Sequence, residues 1–137
     1  MWWIYALLSA LFAALTAIFA KVGIKNINTD LAVAIRTVVI LFMAWAIVFF
    51  RNSASNIGAL TKTNILFLVL SGITTGFSWI FYFRAIAIGK VSEVAPVDKL
   101  SLALTIIFSV IFLGESVSMK TAIGASCIIV GTAVMIL

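Results

Sequence analysis

Histidine is absent from this chain of 137 residues, and cysteine and proline occur once each, as Cys127 and Pro96. Without histidine, metal chelation and general-base catalysis lose their commonest side chain. A single cysteine excludes an intrachain disulfide and a thiolate metal site. Within an apolar run it reads as a small hydrophobe. Charge is scarce too: 9% of the residues are charged, against 65% hydrophobic. The mean hydropathy of +1.32 lies outside the range of water-soluble domains. The net charge of +5 comes from basic residues that stand singly. A polybasic lipid patch needs a run of about four to eight. No nucleic-acid partner is expected either. No nucleophile stands beside a base and no cofactor motif occurs, so enzyme chemistry, a metal and a cofactor are not expected.

What the chain does have is apolar length. Stretches 2–20, 31–50, 65–83, 91–113 and 119–137 are each long enough to cross a bilayer, which takes about 20 residues as a helix. An all-α bundle of five transmembrane helices is predicted, forming one domain over residues 1–137, with no soluble domain left over. The first stretch lacks a preceding Lys or Arg and a small-residue cleavage site before Lys21, so it reads as a retained span and not a leader.

The links 21–30, 51–64, 84–90 and 114–118 are short, which forces neighbouring helices antiparallel and puts the termini on opposite sides. The N-terminal side (side A) carries Arg51, Lys62 and Lys120, and the other (side B) carries Lys21, Lys25 and Lys90 with Arg84 nearby. Loop Lys and Arg set orientation, and here they nearly cancel. The tie fits either weak signals in a chain of one orientation or copies inserted both ways, pairing as an antiparallel homodimer. Two inverted repeats meeting at the midplane are a common transporter plan.

Arg36, Asp98, Lys99 and Arg84 lie within or at the ends of the spans, where a centred charge costs roughly 2.5–3.5 kcal/mol. At ~1.5 Å per residue, Arg36 and Asp98 each sit on the order of 10 Å inside side B. Asp98 is the expected partner of Arg36. Lys99 lies ~100° around the helix from Asp98 and should point elsewhere. Pro96 cannot donate to the carbonyl of Ser92 and is expected to kink the fourth span. The cluster reads either as an ion-pair network fixing helix register or as a polar pocket open to side B.

In the third span, Ser71, Thr75, Ser78, Trp79 and Tyr82 recur at helical spacing, a mixed hydroxyl and aromatic stripe suited to a pocket wall. Interfacial anchoring of the rings and self-bonding of the hydroxyls is the alternative. Gly72 and Gly76, with Gly124 and Gly131, read as packing positions, as does an alanine stripe along the first span. Ser116 and Ser118 are candidate caps of the fifth helix, and Glu115 reads as part of the turn before it.

Tyr82-Phe83-Arg84-Ala85-Ile86-Ala87-Ile88-Gly89, Val94-Ala95-Pro96, Phe112-Leu113-Gly114-Glu115, Ile123-Gly124-Ala125 and Gly131, in this order, resemble the EamA repeat of the drug/metabolite transporter superfamily. Arg36 matches the arginine that this repeat usually carries. Most of that family have two inverted repeats in ten helices and move small metabolites or amino acids. One repeat therefore implies half of such a transporter, completed by a second copy. The Asp98-Lys99 pair departs from the family's commoner uncharged pattern. The first span lacks the carboxylate on which the related small multidrug resistance proteins rely. The resemblance implies a transporter of small polar metabolites or amino acids in the bacterial inner membrane. Its substrate-binding candidates are Arg36, Asp98, Lys99, Ser71, Thr75, Ser78, Trp79 and Tyr82. A scaffold subunit of a membrane complex and a lipid-linked sugar flippase subunit are the alternatives.

If copies insert both ways, cysteine labelling at the two termini in intact cells should find each terminus on both sides of the membrane. A single fixed orientation would exclude the antiparallel pair.

Overall fold

Helices grow past the apolar runs because a lipid-embedded backbone has to satisfy its own hydrogen bonds, and polar residues at the ends extend that ladder into the interface. The computed structural model describes residues 1–137, apart from the side chain of Asn56. Its helices are α1 (Trp2–Gly23), α2 (Thr29–Phe50), α3 (Lys62–Ile88), α4 (Val91–Asp98), α5 (Leu100–Leu113) and α6 (Met119–Ile136), with a short 3-10 helix over Ser53–Ala59. The described residues form five membrane-length helical segments, α4 and α5 together making the fourth. Among the described residues there is no strand. The third span is the most extended relative to its apolar run: Lys62 opens it, and Arg84 lies inside its last turns.

The ends have identifiable causes. Asn28 is extended (φ −66°, ψ 130°), and its side chain accepts from the backbone N–H groups of Asp30 at 2.8 Å and Leu31 at 3.3 Å. That satisfies donors which every helix N-terminus leaves open, and Asp30 in the first turn complements the positive end of the dipole. Of the two candidate serines before α6, Ser118 is the cap, accepting from Thr121 N–H at 3.1 Å. Gly114 ends α5 with φ +66°, a conformation in which a Cβ is strained.

The chain divides into two compact units. One comprises residues 1–18 and 88–137, the start of α1 with α4, α5 and α6. Here α6 packs against both α4 and α5 through the face carrying Ala125, Ile128 and Thr132. Ala17, Ala103 and Thr132 are its buried residues. The other comprises residues 19–87, the end of α1 with α2, the 3-10 helix and most of α3. Its buried residues are Ile24, Val33, Phe83 and Ile86. The first half of α3 is exposed at every position from Lys62 to Thr75.

The glycines are not the points of closest approach in either unit. A Cβ built on Gly72, Gly76, Gly124 or Gly131 meets nothing within 4 Å. On α6 the packed face lies one position round from Gly124 and Gly131.

Two alanine substitutions should therefore differ in sign. Gly114→Ala puts a Cβ on left-handed backbone and should destabilise by about 1–2 kcal/mol. Gly124→Ala adds helix propensity in open space and should stabilise a single chain by about 0.5–1 kcal/mol. Thermal unfolding in detergent checks both, and a loss of stability at Gly124 would mean that another molecule packs on that face.

Candidate functional site

Thr29, Ala32, Val33, Arg36 and Ile40 are the shielded positions in the first half of α2. Their three- and four-residue spacing makes one face. That face carries Arg36 to the C-terminal part of α3, where Trp79 and Phe83 are one turn apart. The Arg36 guanidinium carbon lies 4.3 Å from the centre of the Trp79 ring and 5.5 Å from that of Phe83. Phe83 is 2% exposed, so its ring is a fixed wall. Tyr82 packs beside it, with ring centroids 6.4 Å apart at 65°.

A ring face attracts a guanidinium by about 0.5–2 kcal/mol. A charge at a helix centre costs roughly 2.5–3.5 kcal/mol on insertion scales. The rings thus offset only part of the cost. Among the described residues of this unit, no carboxylate lies within ion-pair distance of Arg36, and its guanidinium makes no hydrogen bond. The rings approach the guanidinium carbon and leave its N–H donors without a hydrogen bond inside the unit.

Arg36 and Asp98, the expected partners, fall in different units. Within its own unit Arg36 meets the Trp79 ring, and within the other Asp98 is engaged by Lys99 at 3.6 Å. Adjacent residues of a continuous helix point ~100° apart and do not meet. Here α4 ends at Asp98 and α5 starts at Leu100, so the break at Lys99 frees its side chain to turn back. At the break the Lys99 N–H bonds to the Pro96 carbonyl at 3.0 Å, a tighter turn than the α-helix makes. The Pro96 carbonyl also lies 3.4 Å from the hydroxyl of Thr132, which donates at 2.8 Å to Ile128 in its own helix. Thr132 is 4% exposed. A threonine well inside an apolar helix was its only sign in the sequence.

Two further groups form the polar end of the α2–α3 unit, and sequence reasoning missed the pairing of both. One nitrogen of Arg84 contacts both carboxylate oxygens of Asp30, at 3.2 and 3.1 Å. Lys21, at the end of α1, donates its ammonium to the Ile86 carbonyl. That carbonyl is in the last turn of α3, where acceptors lack intrahelical partners and a cation suits the dipole. The sequence signal for Asp30 was its place two residues after the Asn28 cap. Nothing local linked it to Arg84, which is 54 residues away.

The hydroxyl stripe of α3 divides in two. Thr75 donates to the Ser71 carbonyl at 2.8 Å, and Thr74 donates to the carbonyls of Leu70 and Ser71 at 3.0 and 2.9 Å. These hydroxyls are satisfied within their helix. Ser71, Thr75 and Ser78 are exposed, whereas Trp79 and Tyr82 are partly shielded.

The Asp30–Arg84 pair is half exposed, with side chains 53% and 56% accessible, so its coupling should be modest. A double-mutant cycle with Asp30→Asn and Arg84→Gln should return about 0.2–1 kcal/mol. Strictly additive losses in thermal unfolding would show that the contact contributes nothing.

The EamA-like transporter family matches residues 1–137. A protein of Sinorhizobium sp, described as an uncharacterized transporter in the cobO 3' region, is 48% identical over 130 residues, covering 95% of this chain and 92% of that protein. No solved structure matches the chain. Both matches point to transport rather than to enzyme chemistry. The five apolar helices make the chain an integral membrane protein, and with the whole of it matched, it belongs to the EamA-like transporter family.

Proposed function

We propose that the chain transports small polar metabolites or amino acids across the bacterial inner membrane, working as a homodimer of five-helix units. The observation that carries this reading is the outer face of α3. Ser71, Thr75 and Ser78 are exposed in a spanning helix, and the glycine pair Gly72 and Gly76 beside them has nothing within 4 Å of an added Cβ. Hydroxyls gain little from acyl chains, and small residues allow close helix approach. A second copy seated there would turn an open stripe into the wall of a path. The near tie in loop charge supports an antiparallel seat, since inverted halves meeting at a midplane are how many secondary transporters are built.

Within that path, Arg36, Trp79 and Tyr82 would meet the substrate, with Ser71, Thr75 and Ser78 along the wall. In the other unit, Asp98 and Lys99 at the break after Pro96 are proposed as a separate substrate contact, with the Asp98 carboxylate engaged by Lys99. Half-helix ends and freed carbonyls are frequent features of such transport sites.

Purified protein in proteoliposomes loaded with a pool of amino acids and organic acids should show counterflow of labelled members. Gly72→Trp should block it by preventing helix approach, while the chain stays folded. A self-crosslink through cysteine at position 72 should appear in native membranes. No counterflow of any solute, together with no crosslink, would leave the chain a scaffold subunit.

A further inference from the structure

Lys21, Arg36 and Arg84 lie toward the same end of the α2–α3 unit, and their surroundings differ. Arg84 holds the Asp30 carboxylate through both oxygens, and Lys21 donates to the Ile86 carbonyl. The Arg36 guanidinium carbon lies over the Trp79 ring at 4.3 Å and over that of the buried Phe83 at 5.5 Å. A guanidinium held by ring contacts, with no hydrogen bond of its own inside the unit, keeps paired N–H donors for a ligand. Such a pair fits a planar, two-oxygen acceptor.

We infer that Arg36, held by Trp79, binds the carboxylate of the transported solute, and that simple organic carboxylates are preferred over zwitterionic amino acids. The inference rests on the transport reading and narrows its substrate class. The preference follows from charge. Asp30, the acidic side chain at this end of the unit, is engaged by Arg84. A solute ammonium therefore meets cations and rings beside Arg36, with no carboxylate of the unit there to receive it. Tyr82 and Trp79 supply an apolar flank for the rest of the solute. Trp79 is a positioning residue, because it acts through the orientation of the guanidinium.

The full chain in phosphatidylcholine nanodiscs can be titrated with acetate, benzoate, glycine and methylammonium, reading thermal stability and the fluorescence of a variant that retains tryptophan only at position 79. Acetate and benzoate should give saturable stabilisation and a fluorescence change, glycine a weaker response, and methylammonium none. Arg36→Lys keeps the charge but loses the paired donors, so carboxylate affinity should fall about tenfold or more. Trp79→Phe should fold and weaken binding as well. Unchanged affinity in Arg36→Lys, a methylammonium response equal to that of acetate, or no saturable carboxylate response would each overturn the inference. Adding phosphatidylglycerol separates a free solute from a lipid phosphate. If anionic lipid alone shifts the fluorescence and abolishes the acetate response, the occupant is a headgroup and the solute carboxylate is wrong. Carboxylate binding without counterflow removes the transport reading and leaves this site standing. Counterflow of solutes that lack a carboxylate, with no carboxylate binding, does the reverse.

Discussion

Hydrocarbon offers no hydrogen bonds, so each polar group in this protein has to find its partner within the protein or sit where water reaches it. That constraint accounts for the helices, for their caps and for the hydroxyls bonded back to their own turns. It also explains the uneven treatment of the charged groups. Asp30 and Arg84 neutralise each other, and Lys21 completes an acceptor at the end of α3. Arg36 is met by aromatic faces, which attract a cation without neutralising it. A partly compensated charge is a cost to folding, and proteins keep such costs where a ligand can relieve them.

The spans were legible because apolar length is a coarse property that each segment carries by itself. Their ends were less so: hydropathy stops at Ile65, while the helix begins at Lys62, since a lysine can carry the ladder outward and keep its ammonium in water. The aromatic stripe of α3 was also local, and Trp79 and Tyr82 could be placed on one face by spacing. Who meets that face was not local. Depth along the helix axis matched Arg36 to Asp98, but it gave no sign of the rings that Arg36 meets within its own unit. The shielded face of α2 turns Arg36 toward α3. Likewise, the ~100° rule for neighbouring residues holds only in an unbroken helix. A break at Lys99 makes Asp98 and Lys99 partners.

Family membership and the local geometry inform different levels. The match over the whole chain points to transport, and a relative with 48% identity is itself described only as an uncharacterized transporter. Neither names a solute. The proposed selectivity therefore turns on the chemistry of a guanidinium, whose paired donors favour one class of acceptor over another.

The break in the fourth span also bears on how the last two spans hold together. By itself α5, Leu100–Leu113, is 14 residues long. At ~1.5 Å per residue it covers about 21 Å, short of a hydrocarbon core of about 30 Å. The preceding segment α4, which must supply the remainder, contains Glu93, Pro96 and Asp98. Together α4 and α5 make one membrane-length segment of 23 residues, continuous in length but broken in course. Gly114 ends α5, and α6 returns to pack against both α4 and α5. Thr132 meets the Pro96 carbonyl beside the break, so α6 acts as a splint across it. A chain cut before α6 should lose that splint and leave the two pieces of its fourth span free to hinge.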